Sequence, residues 1–256
     1  MGLVFYSYKW PYINGVNIET PLEKDGLRMI VNTKDLIGWE IFFFGAYEPH
    51  TNTVLKKYVR KGDVVIEGGS HIGTETLILS RLVGDNGHVY GFEPTTTSFN
   101  SLNENIKLNG LTNISTYELA LGEKNGTVGF CLLPPWHCNP GRNGKVVRSD
   151  EIIKTTVTQI TIDTFVQENN LTKVNFLKMD IQGGEMDLLD GAHDTLSKFH
   201  PIIFTEASPK YNDLPKLYEK IKSYGYTIYR IKGDKKTVIS SVSDIKNGGD
   251  WLAKVE

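Results

Sequence analysis

The sequence predicts an α/β fold with a mostly parallel sheet and helices on both of its faces. From residue 61 onward, short apolar runs of strand length alternate with longer runs that have helical periodicity. Strands that alternate with helices build right-handed crossover units, which give a parallel sheet covered on both sides. The predicted strands are Asp63–Glu67, His88–Phe92, Ile114–Leu119, Val174–Met179 and Ile202–Glu206.

The helices are predicted by apolar spacing and by end signals. Leu77, Ile78 and Leu82 recur at helical spacing within one segment. Asn109-Gly110 is typical of a helix C-cap, because both residues tolerate a left-handed backbone. The predicted helices are Thr74–Val83, Ser98–Leu108, Gly184–Leu196 and Leu214–Tyr224.

Both ends of the chain depart from this alternation. Residues 1–50 hold only short β-like runs, Leu27–Val31 and Trp39–Phe44, between glycine-containing turns. A free domain of about fifty residues is marginally stable, so we expect an extension packed on one compact unit, residues 51–256. Near the other end, runs at 227–231 and 237–240 predict a closing hairpin.

Composition excludes several classes of protein. The chain has 256 residues, of which 39% are hydrophobic and 23% are charged, as in folded globular proteins. The net charge of −2 gives no bulk attraction for nucleic acid or an anionic membrane, so we expect neither as a partner. The first residues lack the apolar core of a signal peptide, and we therefore expect a cytoplasmic protein of undetermined oligomeric state.

A glycine-rich turn after the first predicted strand is a candidate cofactor loop. It runs from Glu67 to Gly73 with the sequence EGGSHIG, and Thr74 then starts a helix. Glycines allow a tight strand-to-helix turn and a close approach of a ligand to the backbone. The dinucleotide fingerprint needs glycine at position 70, where this chain has Ser70.

Residues after the next two strands extend this candidate site. Glu93-Pro94 follows the second strand, about 20 residues beyond the glycine loop, where a carboxylate suits the two hydroxyls of a ribose. Leu119-Ala120 follows the third strand and offers an apolar edge to an adenine. Taken singly, these residues also suit a solvated strand end or simple core packing. Together they predict a nucleotide-like cofactor, bound by Glu67, Gly69, Ser70, His71, Ile72, Gly73, Thr74, Glu93, Pro94, Leu119 and Ala120.

Two acidic residues after the fourth strand are candidates for catalysis. Asp180 stands at the strand's carboxyl end, and Glu185 starts the next helix after a pair of glycines. The structural alternative is that Asp180 caps the helix and Glu185 only complements its dipole.

A loop rich in proline and glycine, Pro134–Asn143, lies between two β-like runs of the segment 127–162. It is either a substrate loop or plain surface. As a substrate loop it would use Trp136 to stack on the apolar face of a sugar ring, with His137, Asn139, Arg142 and Asn143 to bond hydroxyls.

These segments together resemble the FkbM family of S-adenosylmethionine-dependent methyltransferases. The resemblance runs from about Glu48 to Tyr229, and the chain departs from the family's usual residues at Glu67, Ser70-His71, Thr95 and Gln182. The matching motifs are residues 62–73, Phe92-Glu93-Pro94, Glu104-Asn105, Leu108-Asn109-Gly110, Ala120-Leu121-Gly122, Met179-Asp180, Gly183-Gly184-Glu185 and Gly191-Ala192.

The resemblance implies a Rossmann-like class I methyltransferase fold of seven strands with a reversed final hairpin, and S-adenosylmethionine as methyl donor. It also implies an O-methyltransferase, often acting on a sugar or a polyketide-like product. We expect a sugar hydroxyl of a glycan or glycosylated small molecule as acceptor; a phenol or an acid is the alternative.

Methylation of a poorly nucleophilic hydroxyl requires a base or a metal ion near the methyl group. Asp180 is the first candidate for either role and Glu185 the second; a metal version would bind Mg²⁺ or Mn²⁺ through Asp180. The alternative functions are an NAD-dependent oxidoreductase and a catalytically silent S-adenosylmethionine-binding module.

Overall fold

The computed structural model describes residues 15–23, 26–133, 143–144, 152–233, 235–245 and 248–256. The helices are α1 (Leu36–Phe44), α2 (Pro49–Tyr58), α3 (Thr74–Val83), α4 (Thr96–Leu108), α5 (Ile162–Glu168), α6 (Glu185–Asp190), α7 (His193–Phe199) and α8 (Leu214–Ser223). The strands are β1 (Asn17–Leu22), β2 (Leu27–Asn32), β3 (Val64–Gly68), β4 (His88–Phe92), β5 (Ile114–Tyr117), β6 (Ala120–Leu121), β7 (Gly126–Leu132), β8 (Ile153–Ile160), β9 (Phe176–Met179), β10 (Ile202–Ala207), β11 (Thr227–Lys232), β12 (Lys235–Ile239) and β13 (Gly249–Lys254).

The main sheet has the strand order β12-β11-β13-β10-β9-β3-β4-β5. The five strands from β10 to β5 are parallel, and β13 runs antiparallel between β10 and β11. The predicted fold class is confirmed, although the sheet has eight strands and the expectation was seven. The reversed strand beside β10 is β13, which the sequence analysis missed because Trp251, Leu252 and Ala253 are all buried and show no alternation.

Helices cover both faces of this sheet, as the alternating pattern predicts. In β3, Val65 packs into a core with α2 and α3, whereas its neighbour Ile66 packs on the opposite side. In β9, Phe176 and Leu177 divide between the same two cores. Because successive residues of a buried strand point to opposite faces, the sheet packs against one apolar layer on each side.

Two predicted elements have a different form. The run 39–44, expected as β-like, lies in α1, where the Asp35 side chain accepts a hydrogen bond from the Ile37 backbone and Gly45 ends the helix with φ +70°. These caps outweigh the strand preference of the aromatic residues. The expected helix 184–196 is two helices, α6 and α7, since a Cβ at Gly191 would lie 2.0 Å from the Gly122 carbonyl oxygen and the backbone turns there.

The N-terminal hairpin β1–β2 is attached to the main domain by side chains of α4. Asn105 accepts from the Ile30 backbone N–H (2.7 Å) and donates to the carbonyls of Ile30 (3.3 Å) and Ile72 (2.9 Å). One turn later, Asn109 accepts from the Arg28 N–H (2.9 Å) and donates to the Arg28 carbonyl (2.7 Å). We call Asn105 and Asn109 the asparagine clasp; it bonds the free edge of β2.

A three-stranded sheet in the order β6-β8-β7 extends from the main domain, and the loop between β7 and β8 falls mainly outside the described residues. Within the described ranges, no helix combines the length and apolar character needed to cross a bilayer.

Replacing Asn105 by alanine should destabilise the protein. The change leaves the polar backbone groups of Ile30 and Ile72 without their partners in a buried setting, which should lower the free energy of unfolding by about 1–3 kcal/mol. Urea denaturation measures this value. The control Lys107→Ala removes an exposed side chain from the same helix and should change it little; equal effects of both changes would contradict the role of Asn105.

Candidate functional site

A cleft of about 330 Å³ lies at the carboxyl ends of β3, β4, β9 and β10. Ligands of open α/β sheets bind at this edge, so it is the expected place for the site. Its wall includes Gly69, His71, Thr74, Glu93, Pro94, Leu119, Ala120 and Asp180 among the residues singled out from the sequence.

The glycine loop after β3 is shaped by contact with the loop after β9. At Gly69 (φ +83°) a Cβ would lie 1.9 Å from the Asp180 carbonyl oxygen, so a side chain has no room there. The backbone N–H groups of Gly69 and Ser70 both donate to the Phe92 carbonyl, which fixes the loop to the end of β4. The two loops that border the cleft are therefore held against each other through backbone contacts.

Glu67 and Ser70, two of the predicted cofactor ligands, lie beneath this loop and do not line the cleft. The Glu67 carboxylate is fully buried and accepts hydrogen bonds from Ser70 Oγ (2.9 Å) and Thr76 Oγ1 (2.5 Å). Glu67 lies in a central strand, and its carboxylate hydrogen-bonds the glycine loop and α3. It does not face the cleft.

Two more predicted ligands also lie away from the cleft. Ile72 packs in the apolar cluster under the N-terminal hairpin. Gly73 has φ +97°, and a Cβ there would lie 2.8 Å from Leu102 Cδ1. Both residues shape the turn into α3.

Glu93 is placed to bind a cofactor and also to hold the loop. One carboxylate oxygen accepts from the His71 N–H (3.0 Å), and the other accepts from the Thr95 N–H (2.9 Å) and hydroxyl. Burial raises the pKa of Glu93, opposed by these hydrogen bonds. Thr95 uses both acceptor sites of Oε1, whereas Oε2 keeps one site for a ligand beside the bond from His71.

His71 borders the cleft as a neutral group. Burial lowers its pKa to about 4, and its Nε2 has no hydrogen-bond partner among the described residues.

A buried lysine connects the loop to the candidate base. Lys178 Nζ lies 3.8 Å from Glu67 Oε1 and 3.8 Å from Asp180 Oδ2, with the side chain only 3% exposed. Burial acts against the ammonium charge, but the carboxylates of Glu75, Asp180 and Glu67 outweigh it and raise the pKa of Lys178. In the sequence, the feature that indicates this buried pair is a lysine inside a predicted buried strand.

The two predicted catalytic acids have different positions. Asp180 opens into the cleft with its side chain 33% exposed, and it accepts a hydrogen bond from Gln182 Nε2 (3.0 Å). Glu185 is buried outside the cleft wall, and its carboxylate accepts from the N–H groups of Ile181 (3.3 Å) and Gly183 (3.0 Å). Glu185 is thus hydrogen-bonded to the backbone of its own loop, whereas a catalytic role was expected for it.

Three further acidic residues border the cleft, and of these the sequence indicates only Glu206, which ends the fifth predicted strand and is expected to face the same crevice. Burial, with Asp180 and Glu48 nearby, raises the pKa of Glu206 to about 7. Glu48 and Glu75 line the wall beside Tyr47. No local motif marks these side chains, because they come from α3, from β10 and from the turn before α2.

The donor set fits S-adenosylmethionine, with an acid for a ribose at Glu93 and an apolar edge for an adenine at Leu119 and Ala120. For a metal ion the fit is poor: within the described ranges, no three histidine, cysteine or acidic side chains come together as ligands. Trp136, His137 and Arg142, the predicted substrate residues, lie outside the described residues. Asn143, at the end of their loop, lines the cleft.

Two of the curated proteins that are similar to this chain are methyltransferases. The chain is 23% identical over 150 residues to "Methyltransferase 1" of Beauveria bassiana, covering 51% of this chain and 58% of that protein. It is 28% identical over 170 residues to "Hexuronic acid methyltransferase AglP" of Haloferax volcanii, covering 66% of each. The match thus spans less than two thirds of the length of either relative.

Solved structures show the same fold. A methyltransferase FkbM from Methylobacillus flagellatus has a TM-score of 0.51 and 17% identity, covering 79% of this chain and 50% of that one. An O-methyltransferase from Bacillus cereus, solved with S-adenosylhomocysteine, has a TM-score of 0.50 and 13% identity, covering 82% of both chains.

A family model described as the methyltransferase FkbM domain matches residues 67–228. This range includes the glycine loop, Glu93 and Asp180, and it spans more than half of the chain. The resemblance seen in the sequence is confirmed, and the chain belongs to the FkbM family of S-adenosylmethionine-dependent methyltransferases.

Proposed function

We propose that the protein methylates a sugar hydroxyl of a glycan or glycosylated small molecule, with Asp180 as the general base. Family membership makes S-adenosylmethionine the cofactor, which leaves no role for the NAD alternative. The observation that carries the proposal is that the exposed carboxylate of Asp180 shares one cleft with Glu93.

The order of the strands orients the cofactor in this cleft. A cofactor with its ribose on Glu93 and its adenine beside Leu119 and Ala120 would have the glycine loop and the end of β9 left for its methionine part. S-adenosylmethionine supplies an electrophilic methyl group on a sulfonium. The reactive end is thus directed to the strand that carries Asp180.

Asp180 would then accept the proton of the acceptor hydroxyl. As the hydroxyl oxygen bonds to the methyl carbon, the carbon–sulfur bond breaks and its electron pair stays on sulfur. Gln182 Nε2 donates to Asp180 Oδ1 and Lys178 Nζ lies 3.8 Å from Oδ2, so both carboxylate oxygens have a neighbour that fixes the orientation of the group. We favour a base over a metal ligand, since among the described residues Asp180 does not come together with two further histidine, cysteine or acidic side chains as a ligand set.

Two observations support a sugar acceptor. One relative, AglP, is named as a hexuronic acid methyltransferase. In addition, the loop 134–143, which carries Trp136, His137 and Arg142, ends at Asn143 on the cleft wall.

Glu93→Ala should weaken cofactor binding through the ribose. Because the variant loses charge-assisted hydrogen bonds, its affinity for S-adenosylhomocysteine should fall by at least about tenfold in calorimetry. The 2′-deoxy analogue should bind more weakly than S-adenosylhomocysteine to the wild type and almost equally to the variant. Glu123→Gln, an exposed charge change, is the control. A gap between the two ligands that persists in Glu93→Ala would contradict ribose binding there.

Asp180→Asn should keep the fold and most of the affinity for S-adenosylhomocysteine, while kcat falls by at least about 100-fold. Labelled methyl transfer to the accepted substrate gives kcat, and calorimetry gives the affinity. Gln182→Ala serves as a comparison, because it removes orientation and leaves the base; its loss should be smaller. Full activity of Asp180→Asn would rule out the base role.

The acceptor class is tested with a panel of neutral glycosides, uronic acid glycosides, aryl alcohols and RNA under labelled S-adenosylmethionine. We expect label in a glycoside. Trp136→Ala should raise KM for that acceptor and leave cofactor affinity intact. Label confined to aryl alcohols or RNA would refute the sugar acceptor, whereas a silent Trp136→Ala would refute only the role of the loop.

A further inference from the structure

We propose that Glu75 binds the α-ammonium group in the methionine part of the cofactor. The proposal rests on the cofactor orientation given above and adds a ligand that neither the family match nor the motif assigns.

Glu75 is the second residue of α3, directly after the glycine loop. It is only 8% exposed, yet it lines the cleft, so the accessible part of its side chain faces the ligand space. No hydrogen bond or ion pair joins its carboxyl group to any other described residue. A buried carboxyl group without a partner is costly to ionise, and a bound cation would offset that cost.

The nearby lysine does not supply this partner. Lys178 is within 4 Å of Glu67 and Asp180, at 3.8 Å from each, and makes no such contact with Glu75. The other charged or titratable groups that face Glu75 are Glu48 and Tyr47, and neither is a cation. Lys178 does act on Glu75 electrostatically, but this one cation is shared with Glu67 and Asp180, so acidic groups outnumber it in this cluster.

The position of Glu75 along the cleft selects the ligand group. Gly69, His71, Thr74 and Glu75 line the same cleft as Glu93, which bonds the His71 backbone. A cofactor with its ribose on Glu93 would bring the next part of the molecule, the amino-acid tail, along this wall. The tail carries one ammonium group, which matches an unpaired carboxylate at the end of the wall.

Burial, together with the carboxylates of Glu48, Glu67 and Asp180 and against Lys178, raises the pKa of Glu75 to about 8. In the free protein at pH 7, Glu75 is thus mostly protonated. An ammonium beside it favours the ionised form, so binding should release a proton.

The test compares two ligands by calorimetry at pH 7. S-adenosylhomocysteine has the amino-acid tail, and 5′-methylthioadenosine has the same nucleoside and sulfur without it. Glu75→Gln should bind S-adenosylhomocysteine about 10- to 100-fold more weakly and 5′-methylthioadenosine with unchanged affinity. Glu123→Gln, which removes an exposed charge outside the cleft, should change neither affinity.

Repeating the titrations in buffers of different ionisation enthalpy measures protons. The wild type should release up to about one proton per S-adenosylhomocysteine, and Glu75→Gln should lose this release, while Glu75→Asp keeps part of it.

Equal weakening of both ligands, or unchanged proton release in Glu75→Gln, would overturn the proposal and leave the cofactor site standing. If Glu75→Gln weakened the binding of S-adenosylmethionine much more than that of S-adenosylhomocysteine, Glu75 would contact the sulfonium, and the proposal for the ammonium group would be overturned. Failure of the wild type to bind S-adenosylhomocysteine would overturn the cofactor site as well.

Discussion

A buried ion pair between the two central strands organises the site of this protein. Glu67 in β3 and Lys178 in β9 are direct partners in the parallel ladder, and water is excluded from both. Removing either member would leave an uncompensated buried charge, which typically costs about 3–5 kcal/mol. The surrounding residues must therefore keep both members of the pair in place.

Each partner of this pair holds one side of the cleft. Glu67 accepts the hydroxyls of Ser70 and Thr76, which ties the glycine loop to the start of α3. Lys178 lies beside Asp180, whose own carbonyl leaves no space for a side chain at Gly69. The loop that receives the cofactor and the carboxylate proposed as base are thus positioned by the same few atoms in the sheet, which gives the alignment that methyl transfer needs.

Sequence reasoning located this site because of a general property of parallel sheets. Strands that end at one edge bring their following residues together, so Glu93 and Asp180 could be placed in one cleft without any long-range information. The same reasoning does not say which way a side chain points. Glu67 belongs to the motif but faces the sheet, and Glu185 belongs to the motif but bonds its own loop.

The residues that were missed depend on tertiary structure. Tyr47 and Glu48 were assigned to an N-terminal extension, yet the turn before α2 brings them to the cleft wall. Strand β13 is inserted between two strands that precede it in the chain, and its three consecutive buried residues have no strand-like alternation. Helix α1 follows from a cap at each end, whereas its aromatic composition alone favours a strand.

The asparagine clasp has a further consequence for the behaviour of the protein at high concentration. An amide side chain has the same donor and acceptor pair as a peptide group, so Asn105 and Asn109 bond Ile30 and Arg28 as a neighbouring strand would. The outer edge of a two-stranded hairpin is otherwise a template for strands of other molecules. By occupying alternate residues of that edge, Asn105 and Asn109 end the small sheet at β2 and use backbone groups there that a strand of another molecule could otherwise bond.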